Sequence, residues 1–235
     1  GIDQQIVQNL GTQAVPEHMS RQIAEVVAAQ REVTAQGVQI APQTAYRLGM
    51  LAAYDRNYDM ALAYFRQATQ ADPEYSTAFV AIAWLQQSRA QDDLSYRALD
   101  AAVAKLADAR EAGAHTDPLD PSALALRGYI AKTLAQVAEA RQQPAERQKY
   151  YREAARLFEH AAQLNPTDAS AQNGLGNIQY ALGNLDAAIA AYRRAVTLAP
   201  SYTATYHDLA LAYEGKRQAD PAHADKWCQH ALAMW

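Results

Sequence analysis

The chain has 235 residues, half of them hydrophobic and a fifth charged, which is a globular composition with room for one large domain or two small ones. A net charge of -4 and a pI near 5.9 disfavour sequence-independent nucleic-acid binding, which needs a basic face. The single cysteine, Cys228, excludes an internal disulfide and favours a reducing compartment. No stretch approaches the roughly 18 consecutive apolar residues of a membrane span. The opening "GIDQQIVQNL" lacks the basic start and apolar run of a secretory signal. A cytoplasmic location is therefore expected, with a targeting segment upstream of Gly1 left open.

In chain order, Ile2, Ile6 and Leu10 recur at helical spacing and predict a short first helix. A second follows from Pro16, with Ile23, Val26, Val27 and Val33 as its apolar stripe and Gly37 closing it. Beyond them a period emerges. Gly49 and Ala83 lie 34 residues apart, as do Gly176 and Ala210, Ala154 and Ala188, and Pro166 and Pro200. A small residue in one helix, an alanine in the next and a closing proline make physical sense as close helix packing. Gly or Ala lets two backbones approach, Phe65, Phe158 and Tyr192 fill the space between helices, and proline cannot continue a helical ladder.

The period and these residues resemble the tetratricopeptide repeat (TPR). The stretch from Gly174 to Pro200 matches well, with Leu175-Gly176, Ala188, Tyr192, Ala195 and Pro200; so does the first copy, with Leu48, Gly49, Ala61, Phe65, Ala68 and Pro73. The resemblance implies an all-α, right-handed superhelical solenoid of antiparallel helix pairs. Residues 1–41 would form a helical cap on it, or a link to an upstream domain, and 42–235 the repeat domain. Its repeats fall at about 42–75, 76–120, 121–168, 169–202 and 203–235. The fourth pattern glycine, Gly176, and the third, Gly128, are 48 residues apart, 14 more than one period, and the step from Ala83 to Gly128 is 11 more. The third excess lies across "VAEARQQPAERQKYY" and predicts two longer helices, either a projecting contact surface or a tolerated insertion. The third repeat also puts Arg127 where Leu is expected. The final "WCQHALAMW" leaves Leu232 and Trp235 on an uncapped last helix.

In TPR proteins the first helices of successive repeats line a concave groove that selects the partner. Projected onto this register, the groove takes Tyr46, Met50 and Tyr54 from the first repeat, and Val80, Trp84 and Gln87 from the second. The third supplies Tyr129, Lys132 and Thr133, the fourth Asn173, Asn177 and Tyr180, and the fifth His207, Leu211 and Glu214. Tyr46, Met50, Tyr54, Trp84 and Tyr129 make an aromatic-rich set suited to anchoring a peptide, with core packing as the alternative role for its rings. Asn173 and Asn177, one turn apart, could hold a bound backbone, since each amide donates and accepts. The basic residues of a chaperone-tail carboxylate clamp are missing, and Asp208 would repel such a tail.

The expected function is a protein–protein interaction module, an adaptor or scaffold binding a protein or peptide segment in this groove. Self-assembly through the C-terminal helix is the alternative. Single-stranded RNA binding, with Tyr46, Tyr54 and Trp84 stacking on bases, stands further back because of the charge. The only cluster of metal-binding types, "HADKWCQH", reads as a helix surface rather than a metal site. No HExxH, GxSxG, Walker loop or CxxC occurs, so no enzyme, cofactor or metal is expected.

Overall fold

The computed structural model describes residues 40–232; the expected cap over 1–41 and Trp235 therefore fall almost wholly outside the described residues. Every regular element among the described residues is helical. The chain divides into two compact units, Gly1–Asp117 and Pro118–Trp235.

The first unit contributes α1 (Pro42–Tyr54), α2 (Tyr58–Ala71), α3 (Ser76–Ser95) and α4 (Leu99–Ala114). Consecutive helices pack on one another, with α1 on α2, α2 on α3 and α3 on α4. In the first pair a Cβ built on Gly49 would stand 2.5 Å from the ring of Phe65, itself 1% exposed. Only glycine allows that ring so close to the α1 backbone. The second pair dispenses with the ring: α4 contains no aromatic residue, and Ala83 and Leu106 are both completely buried. Polar bonds hold the outer edges, Arg66 to Asp108 at 2.6 Å and Arg89 to Asp59 at 3.0 Å, while Gln86 also donates to Asp108.

The second unit contains α5 (Pro121–Ala140), α6 (Pro144–Leu164), α7 (Ala169–Ala181), α8 (Leu185–Leu198), α9 (Thr203–Ala219), a single 3₁₀ turn (Pro221–His223) and α10 (Ala224–Leu232). Their starts are written in the sequence. Asp120 accepts from the Ser122 backbone N–H, and Asp168 from those of Ser170 and Ala171, while Pro121 and Pro144 occupy first-turn positions where no hydrogen bond is lost. Their ends are too: α6 and α8 stop two residues before Pro166 and Pro200, as α2 does before Pro73.

The long third pair takes the predicted form. α5 and α6 have 20 and 21 residues against 13 and 14 in α7 and α8. Seven further residues in each helix add about 10 Å. The turn joining each of the first four pairs has one residue in the left-handed region. It is glycine only once, at Gly183 (φ 81°); Arg56, Arg97 and Gln142 (φ 58–60°) adopt it elsewhere. The core of the unit is alanine-rich around two rings. Phe158 is completely buried and is clasped by two glycines, a Cβ on Gly128 falling 2.9 Å and one on Gly174 2.5 Å from it. Tyr192 lies as close to Gly176.

Candidate peptide-binding face

The first helices of each pair carry the projected groove residues, and the two units treat them differently. In the first unit Tyr46 is 7% exposed, its ring 5.7 Å from those of both Phe65 and Tyr75, so it carries packing rather than an open surface. Val80 and Gln87 are also buried, and Gln87 donates to Gln91 at 3.3 Å. Met50, Tyr54 and Trp84 are half-buried. The aromatic set is divided, because Tyr129 belongs to the second unit.

There, Tyr129 stands edge-on to Phe158 at 4.9 Å, and its hydroxyl pairs with the Ser170 hydroxyl at 3.0 Å. Burial pushes its pKa up to about 12. Thr133 is buried, donating to the Tyr129 carbonyl. These two residues join α5 to the core and to the start of α7.

Three helices of this unit then bring polar groups together. Lys132 on α5 is largely buried, and loss of solvation lowers its pKa, opposed by the Asp208 carboxylate on α9. Asp208 is raised in turn by its own burial, with His207 and Lys132 opposing the shift. On α7, Asn177 accepts from the Tyr192 hydroxyl at 2.8 Å, so one of the two asparagines is occupied in positioning a core ring. Asn173 is 5% exposed, and its Oδ1 makes no hydrogen bond. Tyr180 and Leu211 are exposed at 39% and 40%, and the His207 side chain is half-exposed. Glu214 is held by Arg217 at 2.5–2.8 Å and by Gln218, which lower its pKa to about 2.

Two further residues fall outside the projected set. Asp208 enters the electrostatics of Lys132 and Tyr192, although the projection gave this position no ligand-holding role. Gln136, one turn beyond Lys132, buries an Oε1 without a hydrogen-bond partner. The i, i+4 spacing from Lys132 was a usable signal for it. In the cluster near the C-terminus, His223 pairs with Asp220 at 3.1 Å, His230 stacks on Tyr213 at 5.1 Å, and Cys228 is exposed. Among the described residues no three His, Cys, Asp or Glu side chains converge as metal ligands would, and no helix is long and apolar enough to cross a membrane.

With this geometry in place, comparison with known proteins supplies the class. Family models described as tetratricopeptide repeat match residues 42–75 and 145–203. The chain thus carries tetratricopeptide repeats, and its helical fold is one used generally in protein-interaction modules. Among solved structures it is similar to TTC0263, a thermophilic TPR protein in Thermus thermophilus, at 24% identity and a TM-score of 0.53 over 83% of this chain and 95% of that one. It is similar to MamA, in the RS-1 ArsTM double mutant, at 15% identity and a TM-score of 0.55 over 82% and 93%. YrrB, described as a TPR protein with an unusual peptide-binding site, matches at 16% identity and a TM-score of 0.50 over 90% and 91%. No curated protein matches the chain.

Proposed function

We propose that the α5–α7–α9 face of the second unit binds an extended segment of a protein partner. The observation that carries this reading is Asn173: its amide is buried, its carbonyl oxygen is unbonded, and a buried amide without a partner is costly unless a ligand's N–H meets it. Tyr180 on the same helix, with His207 and Leu211 on α9, offers exposed rings and an aliphatic surface for the segment's side chains. Asn177, spent on Tyr192, acts in this scheme by positioning rather than by contact. YrrB, which shares the fold, is described as having a peptide-binding site, and the same use of the fold is proposed here.

Self-assembly through the last helix rests on Leu232, which is 67% exposed. A single exposed leucine is ordinary on a protein surface, so the inner face is the better supported reading.

The test is selection of peptides from a random library on the full chain, followed by affinity measurement on a Tyr180→Ala, His207→Ala, Leu211→Ala triple variant. All three side chains are exposed, so helicity is expected to be unchanged. A loss of about tenfold or more supports the reading. Equal affinity for both proteins sinks the assignment of this face.

A further inference from the structure

The residue just before the small residue of each first helix is apolar in four repeats: Leu48, Ile82, Leu175 and Leu209, of which three are buried and Leu175 packs against the Phe158 cluster. In the third repeat it is Arg127. This arginine lines a cleft of about 490 Å³ with Lys149, Arg152, Glu153, Arg156 and Leu157 of α6. Four cations thus face one carboxylate, on a chain whose net charge is -4. Arg152 and Arg156 are both exposed and sit one turn apart, a like-charge spacing that by itself slightly disfavours a helix. Lys149 continues the row one turn earlier, its ammonium in an exposed 3.5 Å contact with Glu146.

We propose that this cleft is a second docking surface, taking an acidic segment of a protein partner. It shares no residue with the α5–α7–α9 face and stands independently of it. Guanidinium groups bind carboxylates through paired, parallel hydrogen bonds, and Arg127, Arg152 and Arg156 bring three of them to one concavity. Leu157 supplies an apolar surface for the methylene groups of glutamate side chains. The overall negative charge of the chain opposes a long polyanion such as a nucleic acid, while a short acidic segment engages only the local field.

The experiment is fluorescence anisotropy on the full chain, with a labelled twelve-residue peptide of alternating Glu and Ala. A Gln/Ala peptide and a twelve-nucleotide single-stranded DNA serve as comparison probes. The Glu peptide is expected to bind, more weakly as salt screens the charges, and the Gln peptide not to bind. Arg152→Glu with Arg156→Glu should lower affinity about tenfold or more, whereas Arg193→Glu with Arg194→Glu, exposed on α8 and equal in charge change, should not. Arg127→Leu, which restores the apolar pattern, should weaken binding without lowering the melting temperature. If the reversal variant loses helicity, Arg152→Gln with Arg156→Gln replaces it. Equal losses in both reversal variants, binding of the Gln peptide, or tighter binding of the DNA than of the Glu peptide would each overturn the proposal.

Discussion

The third and fourth helix pairs of the second unit apply one packing rule at two lengths. In the fourth, α7 and α8 meet where Gly176 receives the Tyr192 ring, and the helices end soon after. In the third, Phe158 is received by Gly128 from its own pair and by Gly174 from the next, and both helices run seven residues longer. The added length is sustained by Tyr151, 7% exposed, and by Arg147 pairing with Glu139 near the tip at 3.2 Å. The comparison teaches that the ring between glycines sets where the helices cross, while helix length beyond the crossing is open to variation. The added length also carries charge: Lys149 in the extra turns of α6 lines the basic cleft, and the shorter α7 and α8 contribute nothing to it.

If the clasped ring organises both crossings, its removal should have the largest effect. Phe158→Ala is expected to cost about 3–5 kcal/mol in denaturant unfolding. Tyr192→Phe keeps the ring, loses only the bond to Asn177, and should cost about 1 kcal/mol. A reversed order of these two would break the comparison.

Next come the glycines. Gly174→Ala and Gly176→Ala each place a methyl group about 2.5 Å from a buried ring and should destabilise by about 1–3 kcal/mol. Combining Gly174→Ala with Phe158→Leu should recover part of the loss, as in the second pair, where Ala83 accompanies Leu106. An additive double variant would show that the two sites do not share one space.

The turns should give a smaller effect of opposite sign in the two pairs. Gln142 holds φ 58°, where a side chain is strained, so Gln142→Gly should raise stability by about 1 kcal/mol. Gly183 holds φ 81° with open space around it, so Gly183→Ala should lower stability by a similar amount through backbone strain alone. Thermal unfolding of the two variants side by side tests the contrast.

The last effect concerns pH and is confined to alkaline solution. Burial raises Tyr129 from 10.0 to about 12 in the folded protein. A raised folded pKa means stability that is complete below pH 10 and lost as the pH rises toward 12, because the unfolded chain gives up its proton first. Tyr129→Phe should be less steeply destabilised than the parent between those values. Lys132, shifted downward, acts with the opposite sign and is present in both proteins, so it drops out of the difference. Identical slopes would place Tyr129 in solvent.

Much of the architecture is legible in the sequence. Glycine and alanine at a 34-residue spacing, a ring or Ala further on and a closing proline describe a helix pair that each repeat must form locally, and three second helices end two residues before proline. The extra residues between Gly128 and Ala154 announce two longer helices for the same reason: helical rise is a local property. The candidate binding face is less legible. Tyr46 and Tyr180 were both projected into the groove, yet one is packed under Phe65 and Tyr75 and the other is 39% exposed. A register position states which way a side chain leaves its helix, and neighbouring helices decide whether anything covers it.

The sequence by itself determined the class of fold, the pairing of neighbouring helices and the length of the third hairpin, because capping, turn formation and small-residue packing act over a few residues or one repeat. Only the tertiary structure decided that Asn177 serves Tyr192, that Asn173 buries an unbonded carbonyl, that Lys132 and Asp208 share a field across two repeats, and that Arg127 opens a basic cleft with α6. Burial and electrostatics depend on distances between residues far apart in the chain, and periodicity does not encode those distances.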